Sequence, residues 1–188
     1  MVRIADATAD HWDDVVTVMG NRGDQSRCWC QWLRLNRTGY HAASTPDRRA
    51  ALEAQVGASP PPGVLAYDDA DLPSGWCGVA PRADYLRMDT YRMAAGEDED
   101  GLWSVTCFVV RVQARKQGLT DVLLEGAVDL ARRHGAHAVE AYPLDTAVRA
   151  ASSAELFHGP LSVFLRMGFR EVGTRPAPAR PVVRFDLS

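Results

Sequence analysis

The feature of this sequence that most limits its fold is an apolar segment that leads through a glycine-containing turn into an amphipathic stretch. Residues 103–110 are rich in β-branched and aromatic side chains, which favours a β-strand. From 118 to 134 the apolar residues recur at helical spacing, and Gly135 follows, which predicts an amphipathic helix that stops there. The sequence therefore predicts a strand, a turn and a helix in direct succession.

The turn between them is a candidate phosphate-binding site. A helix N-terminus offers unpaired backbone N–H groups and the positive end of the helix dipole, and both favour anions. Gly118 has neither the glycine spacing of a dinucleotide fold nor the Gly-Lys-Ser/Thr of a nucleotide P-loop. A lone glycine turn is weak evidence, because Gly118 could simply relieve a steric conflict while Arg115 and Lys116 are solvated.

The rest of the chain alternates between short strands and helices. Apolar patterns and turn residues predict strands at 2–5, 63–67, 75–80, 136–142, 169–173 and 182–187, and helices at 12–20, 45–56 and 150–167. The last helix is expected to be interrupted at Gly159 and Pro160. Residues 21–44 show no clear period and are expected to be irregular apart from the aromatic cluster at 28–32.

Composition narrows the class of protein. A chain of 188 residues, 46% hydrophobic, suffices for one sizeable core, so we expect a single domain over 1–188. Lys and Arg number 21 against 24 Asp and Glu, with no basic stripe, which argues against nucleic acid as a partner. The absence of a long apolar run or a signal-peptide pattern predicts no membrane partner and a cytoplasmic protein. Four cysteines are too few for a disulfide scaffold.

Two longer patterns carry a resemblance to a known family. The stretch Val110-x-Val112-x-x-Arg115-x-x-Gly118-x-Thr120 is similar to the coenzyme A motif of the GNAT superfamily of acyl-CoA-dependent N-acyltransferases. The later Phe164-x-x-x-Gly168-Phe169 resembles that family's late helix ending in Gly-Phe. The resemblance covers the chain loosely from about Gly63 onward. Where the family usually has glycine or alanine, this chain has Thr120.

The resemblance implies a fold and a cosubstrate. The expected fold is α+β (α/β), with a central mixed, mostly antiparallel sheet of six to seven strands, helices on both faces and splayed central strands. Residues 1–62 would form the acceptor side, and 63–188 the sheet and the coenzyme A-binding core. Acetyl-CoA would be the cosubstrate, and a primary amine would attack its thioester directly.

The resemblance also implies which residues bind the coenzyme. They are Phe108, Val109, Val110, Arg115, Lys116, Gln117, Gly118, Leu119 and Thr120. N–H groups near Val109 and Val110 would polarise the thioester carbonyl. Asp121 is expected to face away from the phosphates.

The catalytic residues are less clear. Phe164 stands where many relatives place a tyrosine acid, and residues 103–110 lack the glutamate that many use as a base. Tyr142 is the first substitute acid, ahead of Cys107 and His158, although packing explains a tyrosine there about as well. Glu140 is the best candidate base, because burial in an apolar strand could raise its pKa. An outward-facing Glu140 paired with an arginine is an equal alternative.

The residues that could form the acceptor pocket each have more than one plausible role in the sequence. Trp29 and Trp32 could stack on a cationic or aromatic acceptor, while core packing is the commoner role. The acidic run at 97–100 could attract a cationic amine or be a solvated loop. Cys28 and Cys30 could be half of a zinc site, but no further ligands follow nearby, so we expect no metal. Two rival functions are a catalytically silent GNAT-like module that binds coenzyme A or a small ligand, and a zinc-binding interaction module. A homodimer is compatible with either class.

Overall fold

The core of the protein is one seven-stranded sheet. A computed structural model describes residues 2–88, 100–152, 155–174 and 180–187, and the account below concerns those residues. The strands are β1 (Arg3–Asp6), β2 (Gly63–Tyr67), β3 (Pro73–Pro81), β4 (Leu102–Val110), β5 (Ala138–Ala141), β6 (Arg170–Thr174) and β7 (Pro181–Asp186). Their order across the sheet is β1-β2-β3-β4-β5-β7-β6. Among these seven described strands only β4 and β5 pair in parallel, so the expected mixed, mostly antiparallel sheet is confirmed.

Seven α-helices lie in the described parts of the chain. They are α1 (Trp12–Met19), α2 (Gln25–Cys28), α3 (Gln31–Arg34), α4 (Arg37–Ala42), α5 (Thr45–Val56), α6 (Leu119–Arg133) and α7 (Leu161–Arg166). Short 3-10 turns cover Ala9–His11, Arg82–Asp84, Val112–Ala114 and Glu155–His158. Within the described ranges, no helix is long and apolar enough to cross a membrane.

Both faces of the sheet are covered by helices, as expected. Val64 and Ala66 of β2 pack with the apolar stripe of α6, while the alternate residues Leu65 and Tyr67 pack with α1 and α5 on the opposite face. The alternation follows from the two-residue period of a strand. We call the second surface, together with α1–α5, the α1–α5 face.

Local sequence signals account for several boundaries. The helix α5 begins with a capping box, in which Asp47 N–H donates to Ser44 Oγ and Ser44 N–H donates to an Asp47 carboxylate oxygen. The helix α6 ends before Gly135, which adopts φ 77°, a left-handed conformation that glycine accepts without steric cost. These two features agree with the sequence prediction.

Two segments differ from the prediction. Residues 21–44 were expected to be irregular but contain α2, α3 and α4, which are only four to six residues long and therefore show no readable helical period. The helix predicted over 150–167 is shorter: α7 begins only after Gly159 and Pro160, and the preceding turn is a 3-10 helix. The predicted interruption at Gly159 and Pro160 is thus confirmed.

Candidate functional site

The turn that links β4 to α6 exposes a row of backbone donors. Lys116 and Gly118 both adopt left-handed conformations, with φ of 61° and 75°, and Gly118 is the N-cap of α6. No side chain caps this helix, and within the described residues no acceptor receives the N–H groups of Gln117, Gly118, Leu119 or Thr120. These donors converge at the positive end of a fifteen-residue helix.

The space beside these donors is open. A Cβ atom placed on Gly118 would have no heavy atom within 4 Å. Arg115, Lys116 and Gln117 are exposed. The Arg115 guanidinium donates to the Val110 carbonyl at 3.2 Å, which ties the turn back to the end of β4. The 115–120 turn can therefore receive an anion without displacing protein atoms.

The acidic residue in the first turn of α6 is paired with an arginine. Asp121 forms an ion pair with Arg166 of α7, with 2.6 Å between its carboxylate and the guanidinium Nη2. Its negative charge is thereby directed to α7. Thr120 is half-buried.

A gap opens between β4 and β5 next to this turn. Their parallel pairing ends at Val105 and Ala141, although β4 continues to Val110. The register between β3 and β4 shifts at the same point: Cys107 faces Gly78 and Val105 faces Val79, so Thr106 is a bulged residue. A bulge bends its strand and re-aims it. The splay of the central strands therefore begins at Thr106.

The open edge of β4 presents alternate backbone groups. The Thr106 carbonyl points into the gap, where the His158 ring nitrogen Nδ1 lies 2.7 Å away, and the Val110 carbonyl also points away from β3. Because these groups alternate along a strand, the backbone N–H and C=O of Phe108 also point into the gap, whereas those of Val109 point toward β3. Of the three β4 residues predicted to bind the coenzyme, Phe108 and Val110 thus have amides that face the gap.

Glu140 and Tyr142 belong to a buried network on the α1–α5 face. The Tyr142 hydroxyl donates to Glu140 Oε2 at 3.1 Å and lies 3.2 Å from Ser104 Oγ. Glu140 is fully buried and forms an ion pair with Arg184, which stands opposite it on β7. Burial and the nearby Glu140 charge raise the pKa of Tyr142, so the phenol keeps its proton. An arginine partner for Glu140 was expected only with an outward-facing side chain, so the buried ion pair combines parts of both alternatives.

Phe164 and the two further candidate acids have different surroundings. Phe164 is fully buried and packs edge-on against Phe108. Cys107 is half-buried, and a hydrogen bond with Cys30 together with burial raises the pKa of its thiol well above the usual value. His158 is held on the Thr106 carbonyl. Of the two residues considered behind Tyr142 as an acid, His158 therefore contacts the side of β4 that faces the gap, whereas Cys107 packs on the α1–α5 face.

The two tryptophans of the aromatic cluster have different surroundings. Trp29 is buried in the core with α1 and α5, and its ring lies 6.1 Å from that of Trp12. Trp32 is half-buried, and the Arg87 guanidinium lies 3.9 Å above its ring. An arginine of this protein thus already stacks on Trp32.

The backbone at this cluster is held in an uncommon conformation. Trp29 and Cys30 are successive residues with φ of 48° and 55°, a region that L-residues other than glycine seldom adopt. The buried Gln31 side chain fixes this turn, because its amide donates to the Trp29 carbonyl at 3.1 Å and to Gln55 of α5 at 2.9 Å. No sequence signal identified Gln31.

The remaining sequence hypotheses concern metal and charge. Among the residues that the structure describes, no group of three or more His, Cys, Asp or Glu side chains could hold a metal ion. Most of the acidic run at 97–100 lies outside the described residues.

Comparisons with known proteins address the fold. No protein-family model and no curated protein matches the sequence. Among solved structures, a GCN5-related N-acetyltransferase from Kribbella flavida matches with a TM-score of 0.56 at 18% identity, over 99% of this chain and 98% of that chain. A protein from Salmonella typhimurium, solved with its cofactor acetyl-CoA, matches with a TM-score of 0.56 at 14% identity, over 100% and 94% of the two chains. An N-acetyltransferase from Thermoplasma acidophilum in complex with coenzyme A gives a TM-score of 0.56 at 11% identity, over 100% and 99%.

These similarities run over the whole chain at identities too low to carry details of a site. They agree with the mixed sheet, the helices on both faces and the splayed β4 and β5 described above. The resemblance first seen in the motif around Gly118 is thus confirmed at the level of architecture: the chain has the GNAT fold.

Proposed function

We propose that this protein is an N-acetyltransferase that transfers an acetyl group from acetyl-CoA to a primary amine. The observation that carries the proposal is the row of unpaired N–H groups at Gln117–Thr120, placed directly beside the gap between β4 and β5. Two structures with the same fold were solved with coenzyme A or acetyl-CoA. The open space at Gly118 and the free donors fit a pyrophosphate.

The residues of the turn would bind the coenzyme through charge and backbone geometry. Gln117, Gly118, Leu119 and Thr120 would donate N–H groups to phosphate oxygens, and the exposed Arg115 and Lys116 would add positive charge. Phe108 and Val110 would offer main-chain groups along the open edge of β4. Val109, whose amide faces β3, would contribute only through its side chain.

Acetyl-CoA, when bound, supplies an activated thioester whose thiolate is a good leaving group. The protein must mainly position that thioester and help the amine to lose a proton, because an alkyl amine with a pKa near 10.4 is mostly protonated at neutral pH. Preorganised N–H groups on β4 would polarise the thioester carbonyl. We propose that Glu140 and Tyr142 take part in removing the proton, since they form a continuous hydrogen-bonded path with Ser104 at the point where β5 ends.

A second candidate function has support from the same residues. Glu140 is buried and neutralised by Arg184, and Phe164 has no proton to give. A module with this fold that binds coenzyme A without turnover would show both features. An assay of free thiol released from acetyl-CoA in the presence of a panel of amines separates the two functions. The enzyme would release free thiol with at least one amine, whereas the silent module would bind the coenzyme and release no thiol.

The binding half of the proposal is tested by Gly118→Trp. The indole would occupy the open space that we assign to the pyrophosphate, so coenzyme A binding measured by calorimetry should be lost. The matched control is Gly135→Trp, because Gly135 has nearly the same φ of 77° and equally open surroundings but lies at the other end of α6. Normal coenzyme binding by Gly118→Trp would contradict the placement.

A further inference from the structure

The helix α6 carries an acidic residue in its first turn, directly after the 115–120 turn. Gly118 is the N-cap of α6, so Asp121 is the third residue of the helix, the N3 position. A carboxylate in the first turn interacts favourably with the positive end of the helix dipole. A pyrophosphate bound at 115–120 would use the same positive end. Asp121 and the coenzyme therefore compete for one electrostatic site.

The helix α5 shows what an aspartate at N3 does when it serves its own helix. The N-cap of α5 is Ser44, and the carboxylate of Asp47 at N3 accepts the Ser44 backbone N–H at 2.8 Å. This is the reciprocal bond of a capping box, in which an acidic side chain satisfies a free donor at the helix N-terminus. An aspartate at N3 thus takes the place of an external anion.

In α6 the aspartate at N3 is drawn to another helix instead. The Nε and Nη2 atoms of Arg166 both donate to Asp121 Oδ1, at 3.2 and 2.6 Å. Arg166 is the last residue of α7, which packs against α6. Within the described parts of the chain, the Asp121 carboxylate accepts no backbone N–H from residues 117–120. The contact that caps α5 is therefore missing from α6.

The free donors of α6 lie immediately before the residue that Arg166 holds. The Asp121 N–H donates to the Gly118 carbonyl at 3.0 Å and is already used. The N–H groups of residues 117–120 find no acceptor among the residues that the structure describes. The row of donors that we assign to the pyrophosphate therefore coincides with the donors that an N3 carboxylate would neutralise.

The exposure of the Asp121–Arg166 pair indicates that its main effect is not on stability. The two side chains are 44% and 57% exposed. Ion pairs this exposed contribute little to the free energy of folding, because water screens the two charges. An uncompensated charge within a Debye length of a bound anion still changes the affinity for that anion. The effect of the pair should therefore appear in coenzyme binding.

On the basis of the proposed function, we propose that Arg166 is a positioning residue for the coenzyme. By holding the Asp121 carboxylate, Arg166 keeps the N–H groups of residues 117–120 and the positive end of α6 available to the pyrophosphate. Without Arg166, the carboxylate returns to its own helix, as Asp47 does in α5, and opposes the anion.

The test is a double-mutant cycle in which coenzyme A binding is measured by calorimetry. Arg166→Ala should weaken binding about fivefold, the size of one charge effect at a helix N-terminus. In the Asp121→Ala background, Arg166→Ala should change the affinity by less than about twofold, because no carboxylate is left to hold. Arg166→Lys should keep most of the affinity. In turnover, Arg166→Ala should raise the KM for acetyl-CoA at unchanged kcat, and added salt should reduce the difference.

The control variant is Arg170→Ala. Arg170 forms a similarly exposed ion pair with Asp186, and it lies on β6 at the edge of the sheet. Its loss removes the same charge from the protein and should leave coenzyme A binding unchanged. An equal loss of affinity from Arg166→Ala with and without Asp121 would overturn the proposal, since Arg166 would then act on the coenzyme or the fold directly. Unchanged binding by Arg166→Ala would also overturn it.

Failure of the proposed function has a different signature. If the wild-type protein does not bind coenzyme A, the proposed function fails. Amide hydrogen exchange of residues 117–120 in the free protein, measured by NMR, then decides the role of Arg166. Slower exchange of these amides in Arg166→Ala, reversed when Asp121→Ala is added, supports the release of the carboxylate onto its own helix. Unchanged exchange overturns it.

Discussion

The 115–120 turn and the α1–α5 face are built in opposite ways. The turn exposes backbone N–H groups, its side chains are largely solvated, and its geometry is set by two left-handed residues. The α1–α5 face depends on buried polar side chains, among them Gln31 and Glu140, each held by partners far along the chain. The comparison teaches that a backbone site tolerates most side-chain changes, whereas a side-chain site fails when any one buried partner is lost.

The largest expected difference between the two regions concerns Glu140. Glu140→Ala would leave Arg184 without its buried partner, and we expect a loss of about 3 kcal/mol in the free energy of unfolding. Since the Arg184 side chain is 22% exposed, water limits the loss to the lower end of the usual range. Urea denaturation followed by circular dichroism measures it.

Asp186→Ala is the matched control for this prediction. Asp186 forms an ion pair with Arg170 across β6 and β7, and both side chains are more than half exposed. Exposed pairs contribute little, so its loss should stay below about 1 kcal/mol. Equal losses for Glu140→Ala and Asp186→Ala would show that the buried pair does not stabilise the α1–α5 face.

The second prediction compares two glutamines. Gln31→Ala removes the buried amide that holds the Trp29 carbonyl and Gln55, and we expect a loss of about 2 kcal/mol because both partners are left unsatisfied. Gln117→Ala in the exposed turn removes only a bond to the Gln113 carbonyl and should cost within about 0.5 kcal/mol. Thermal and urea unfolding of both variants tests the contrast. Equal losses in the free energy of unfolding for Gln31→Ala and Gln117→Ala would contradict the contrast.

The contrast also explains what the sequence could predict. The turn was predictable because its signals are local: an apolar strand, a glycine at a position requiring φ of 75°, and a helix of fifteen residues with a clear period. The mixed, mostly antiparallel character of the sheet followed from the resemblance that these elements support, whereas the strand order did not.

The α1–α5 face was not predictable in the same way. Its helices α2, α3 and α4 are too short to show a period. The ion pair of Glu140 joins it to Arg184, which lies 44 residues away in the sequence. The bulge at Thr106 depends on the register between β3 and β4, and Gly78 in the middle of an apolar strand was its one available signal. Such contacts exist only once the strands have paired.

The third prediction compares the two regions most directly, because it concerns backbone conformation in both. Gly118→Ala places a side chain at φ 75° with no neighbour within 4 Å, so its cost should be conformational only, about 1 kcal/mol. At Cys30, with φ 55°, the opposite should hold: Cys30→Gly should be more stable than Cys30→Ala by about 1 kcal/mol. Using Cys30→Ala as the reference removes the contribution of the lost thiol. Urea denaturation of the three variants measures both differences. One outcome would contradict this comparison: Gly118→Ala loses stability as expected, but Cys30→Gly is no more stable than Cys30→Ala. The turn at Trp29 and Cys30 would then carry no backbone strain, and the two regions would differ in side-chain contacts alone.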